Sequence, residues 1–92
     1  MEVTDVRVIM VDNDDKLKAF VTVELERSLV VRDLKVISGD SGVFVAMPAK
    51  KMKDGSFKDI AYASNMDLRK KIENAVIEEY KKVLEKLHSK VA

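Results

Sequence analysis

A chain of 92 residues, 47% hydrophobic and 36% charged, describes one small and heavily charged globular domain. Without cysteine there is no disulfide, thiol nucleophile or cysteine zinc site, and the lone histidine, His88, leaves little for triad chemistry or a metal centre. The net charge of +1 conceals a split: residues 1–49 carry six basic and nine acidic side chains, residues 50–71 seven and three, and residues 72–92 four of each.

The first half alternates with a period of two. In Val3 to Val11, Val6, Val8 and Met10 share one side and Arg7, Ile9 and Val11 the other. Turn formers at Asp12-Asn13-Asp14-Asp15-Lys16 end that strand. From Leu17 to Glu26 the alternation is cleaner, with Leu17, Ala19, Val21, Val23 and Leu25 opposite Lys18, Phe20, Thr22, Glu24 and Glu26, the pattern of a half-buried antiparallel strand. Leu29 to Ser38 predicts a third strand, although Arg32-Asp33 interrupts its alternation. Gly39 to Gly42 reads as a turn and Val43 to Met47 as a short fourth strand, ended by Pro48, which has no N–H to give to a ladder. Lys50 to Lys53 and Phe57 to Tyr62 flank Asp54-Gly55, a tight-turn signal, and predict a basic hairpin or protruding loop.

The last segment predicts a long helix. Leu68, Ile72, Ala75, Val76, Tyr80, Val83, Leu84 and Leu87 form one apolar stripe at helical spacing. Ser64 with Asp67 resembles a capping box, and Asn65 is the rival cap. Glu78 with Lys82 and Lys81 with Glu85 are i,i+4 pairs of surface type. An antiparallel sheet of about four strands plus a basic hairpin, covered by this helix, is a two-layer α+β domain spanning residues 1–92.

Candidate chemistry is sparse. Asp12, Asp14 and Asp15 suggest a calcium loop, but its fifth and sixth positions hold Lys16 and Leu17 where an oxygen ligand and glycine are needed. Gly39-Asp40-Ser41-Gly42 lacks the lysine and the following helix of a phosphate loop. His88 lies near the end of the helix, where a cation suits the dipole. Asp59, between Lys58 and Ile60, suits an ion pair or a loop-bracing hydrogen bond, and the dispersed methionines suit core filling. No enzyme, metal or cofactor is expected.

The functional candidate is the basic group. Lys50, Lys51, Lys53 and Lys58 bracket the tight turn, and Arg69, Lys70 and Lys71 lie in the first turns of the helix, beside the apolar positions Leu68 and Ile72. Six lysines and one arginine imply contact with a phosphate backbone, which positions a protein without reading sequence; only Arg69 could fork to guanine. No apolar run approaches the about 20 residues that cross a bilayer. The acidic opening Met1-Glu2, followed by a strand pattern, is unlike a secretory leader, so a cytoplasmic location is expected.

The chain also resembles a known family. Met1-Glu2-Val3-Thr4-Asp5-Val6-Arg7, Val30-Val31-Arg32-Asp33-Leu34-Lys35-Val36-Ile37, Gly42-Val43-Phe44-Val45-Ala46-Met47-Pro48-Ala49-Lys50, Phe57-Lys58-Asp59-Ile60-Ala61, and Arg69, Ile72 and Tyr80 are similar to the stage V sporulation protein G (SpoVG) family over residues 1–82. The resemblance implies a homodimeric α+β protein that binds DNA, and in some members RNA, to regulate gene expression, including sporulation and septation. Lys50, Lys51, Arg69 and Lys70 fall where that family carries basic residues. The sequence departs from the pattern at Tyr62-Ala63, where members commonly have His-Pro. A nucleic-acid-binding dimeric regulator is therefore the leading expectation. The alternative is a protein-interaction module whose basic patch is incidental.

Overall fold

A computed structural model describes residues 1–11 and 16–91, with side chains described through Leu87. Four strands, β1 (Val3–Met10), β2 (Leu17–Leu25), β3 (Leu29–Gly39) and β4 (Gly42–Ala46), pair in chain order as an antiparallel meander. A separate two-stranded ribbon, β5 (Ala49–Lys51) and β6 (Phe57–Asp59), follows. The helix α1 (Met66–Val91) then crosses back over the sheet. This is the α+β class that the alternation and the apolar stripe predict.

One face of the sheet carries the core. Ala19, Val21, Val23 and Leu25 of β2 join Leu34 and Val36 of β3 and Val45 of β4, all buried under Ile72, Val76 and Tyr80 of the helix. Val6, Val8 and Met10 pack at its margin. Leu17 is only half-buried and lies outside this cluster, because the pairing slips by one residue between Leu17 and Ala19. The stripe also overreaches: Leu87 is exposed, since α1 at roughly 1.5 Å per residue is about 39 Å long and runs on past its apolar support.

The interruption at Arg32-Asp33 is a β-bulge. Val23 pairs with Val31 and Val21 with Leu34, so Arg32 and Asp33 together oppose Thr22. Asp33 takes φ 64°, a left-handed conformation uncommon outside glycine but tolerated by aspartate, whose short side chain can hydrogen-bond locally. The extra residue resets the alternation, so Val31 and Leu34 both turn to the helix side. The β2–β3 turn holds Glu26 and Arg27 at φ 53° each. Hydrogen bonds offset that strain: the Glu26 N–H donates to the Glu2 carbonyl (2.9 Å) and the Arg27 N–H to Thr4 Oγ1 (3.0 Å).

Asn65, not Ser64, caps the helix. Its Oδ1 accepts the Leu68 N–H at 2.8 Å, satisfying a donor that the first turn would leave without a partner. Asp67 sits in that first turn, where the helix dipole favours a carboxylate. Glu78 and Lys82 pair as expected at 3.7 Å, while Lys81 and Glu85 do not. Of the expected Asp12–Lys16 turn, residues 12–15 lie outside the described residues, as does the His88 side chain.

Candidate nucleic-acid interface

The basic hairpin forms, and is shorter than its sequence span suggests. Ala49 pairs with Asp59, Lys50 with Lys58 and Lys51 with Phe57. Its turn is tightly made: the Gly55 N–H donates to the Met52 carbonyl (3.1 Å) and the Met52 N–H to the Ser56 carbonyl (2.7 Å). Gly55 takes φ 90°, a conformation that a Cβ would strain although open space surrounds it. Asp54 Oδ1 accepts both the Ser56 hydroxyl (2.6 Å) and the Ser56 N–H (2.9 Å). Those two bonds, the hydroxyl's first, hold the Asp54 carboxyl below its ordinary value of 3.8. Asp54 is thereby committed to bracing the turn. At the base of the ribbon the Ile60 N–H donates to the carbonyl of buried Pro48 (2.7 Å), which ties the hairpin to the end of β4.

Lys50, Lys51, Lys53 and Lys58 are all exposed, and none has a carboxylate within salt-bridge distance among the described residues. Lys50 and Lys58 stand directly opposite each other across the ribbon. Directly opposed like charges destabilise a strand pair. A ribbon of three residues per strand has few contacts to offset that cost.

The helix group divides. Lys70 is exposed and unpaired among the described residues. The Arg69 Nε donates to Glu73 Oε1 at 2.8 Å, which turns part of the guanidinium fork back along its own helix. Lys71 reaches Glu2 Oε1 at 3.3 Å and so braces the start of β1. The seven predicted cations are therefore not equivalent: five are open and two are occupied by carboxylates.

The topology brings both groups to one end of the sheet. β4 runs from its Gly42–Gly39 pair back to its Ala46–Lys35 pair, so the chain leaves it toward the start of β3, where the hairpin follows. Lys71 contacts Glu2 beside Val3, which pairs with Leu25, which in turn pairs with Leu29 at that same start of β3. Among the described residues no group of three His, Asp or Glu side chains could hold a metal ion, and no helix is long and apolar enough to cross a membrane.

The charge count singles out the lysines and passes over their apolar neighbours. Met52, Phe57, Ile60, Tyr62 and Met66 are exposed in the same stretch. Only Met52, between Lys51 and Lys53, and Phe57, beside Lys58, carry a signal in the sequence, since apolar residues in a strand pattern are ordinarily assigned to a core.

The SpoVG family model matches residues 1–82. A candidate septation protein SpoVG of Anaeromyxobacter sp. (strain K) is 55% identical over 86 residues, covering 94% of this chain and 84% of that relative. Its counterpart in Myxococcus xanthus is 54% identical over 84 residues, covering 91% and 84%. In Acholeplasma laidlawii the figure is 49% over 85 residues, covering 92% and 90%. The match takes in the whole sheet, the hairpin and most of the helix, and the chain belongs to the SpoVG family.

Proposed function

We propose that this protein is a cytoplasmic, non-catalytic regulator that binds DNA, and RNA as a second ligand, through the hairpin lysines and the exposed start of the helix. The observation that carries this reading is the Lys50–Lys58 opposition on an otherwise weakly supported ribbon. A polyanion lying along the ribbon would relieve the repulsion, because phosphates supply the counter-charge that the fold withholds. The names of the relatives tie the family to septation. Regulation of genes in that process is the role proposed here. Binding measured by fluorescence anisotropy should weaken with salt along a log–log slope of roughly −3 to −5, the value for about four to six neutralised phosphates. No binding at low salt would transfer the reading to a protein partner.

The working unit proposed is a homodimer. On the face of the sheet away from the helix, Ile9 pairs with Phe20, and Ile37 with Phe44, leaving Ile9, Phe20 and Phe44 exposed. β1 and β4 each have an unpaired edge. A second copy could cover this surface and add to a core that is small at this chain length. Sedimentation equilibrium at micromolar concentration should give twice the 10.4 kDa chain mass. A single species of the chain mass would refute the dimer.

A further inference from the structure

We infer that Phe57 and Tyr62 form a stacking platform for unpaired bases, so that the basic hairpin takes single-stranded nucleic acid in preference to duplex. The inference rests on the nucleic-acid reading above and specifies its ligand.

Phe57 and Tyr62 are the two most exposed aromatic residues of the chain, at 69% and 66%, and Ile60, between them in sequence, is 68% exposed. Side chains standing two-thirds in water contribute little to this fold, and three such apolar residues within positions 57–62 mark this segment as a binding surface. The strand register places Phe57 directly opposite Lys51 on one face of the ribbon, with Lys50 and Lys58 on the other. A nucleotide has a flat base at one end and an anionic phosphate at the other. An aromatic ring beside a lysine complements both ends at once.

In a duplex the base faces are already stacked on one another, and only their edges can be reached through the grooves. Reading edges needs forked donors, and the one arginine of the basic group already gives part of its fork, the Nε, to Glu73. Aromatic faces with mobile lysine charges fit the opposite case, an unpaired strand gripped by stacking and by its backbone. A second copy of the chain is a poorer occupant of this surface. A two-fold contact would set the same patch against itself and bring eight lysines together, four from each hairpin.

The test compares three oligonucleotides of equal length: a single-stranded oligo-dT, the matching duplex, and an abasic strand with the same phosphates but no bases. Oligo-dT should bind at least about tenfold more tightly than either of the others, within the range that stacking supplies. Phe57→Ala and Tyr62→Ala should each weaken oligo-dT binding by about 5- to 100-fold while leaving the salt slope and the abasic affinity unchanged. Phe57→Trp should retain binding, with indole emission quenched by oligo-dT. Equal affinity for oligo-dT and the abasic strand would overturn this inference and leave the electrostatic reading standing, and so would a preference for duplex. Failure to bind any of the three at low salt would overturn both. If the alanine variants instead lower the sedimentation mass, the platform is an interface between copies and the inference fails.

Discussion

Replacing Lys50 and Lys58 together by alanine is expected to reduce nucleic-acid affinity roughly tenfold at moderate salt and to flatten the salt slope by about 1.4 on single strands or 1.8 on duplex. The two residues face each other on the ribbon, so one backbone passing over it would meet both. The same double variant should not lose stability. It removes a like-charge cross-strand pair, and the thermal midpoint should stay level or rise by an amount corresponding to about 0.2–1 kcal/mol. Affinity and stability would then move in opposite directions, which a merely structural role for these lysines does not allow. Lys81, Lys82 and Lys86 supply the comparison: they lie farther along α1 in a charge-balanced stretch, and Lys82 already meets Glu78. Neutralising those three should change binding far less. Equal losses from both sets would mean diffuse attraction to the whole surface rather than a site on the hairpin.

Leu34→Ala should remove a large share of the folding free energy, about 2–5 kcal/mol out of the roughly 5–14 expected for a chain of this length. Leu34 is among the largest fully buried side chains, opposite Val21 and just beyond the bulge at Asp33. The bulge restricts how far the backbone can relax into the cavity, so the cost should lie toward the upper part of that range. Ile9→Ala, on the open face, should cost under about 1 kcal/mol within one chain and act instead on self-association. Urea unfolding followed by circular dichroism separates the two variants. A loss below about 1 kcal/mol for Leu34→Ala would show that the helix-covered face is not the stabilising core.

The alternation of Val21, Val23 and Leu25 with Thr22 and Glu24, and the stripe through Ile72, Val76 and Tyr80, make strand, helix and buried face legible in the sequence itself. Burial acts at fixed periods of two and 3.6 residues, and those periods are written in the order of the residues. The tight turn was equally legible, because glycine at residue 55 tolerates the positive φ that a three-residue hairpin loop needs. For the site, the concentration of seven cations in residues 50–71 was a matter of counting.

Only the tertiary structure decided which of those cations are open. Arg69 and Lys71 are engaged by Glu73 and Glu2, and the second of these partners lies 69 residues away in the chain. It likewise decided that Lys50 faces Lys58, that Arg32 and Asp33 share one bulge, and that Asn65 rather than Ser64 turns its side chain to the helix start. Glu26 and Arg27 hold left-handed conformations that no local preference of theirs would announce. Each of these depends on pairing register or on contacts between distant segments. Period and composition reveal which residues seek burial and where charge accumulates; which groups meet is settled when the strands align and the helix docks.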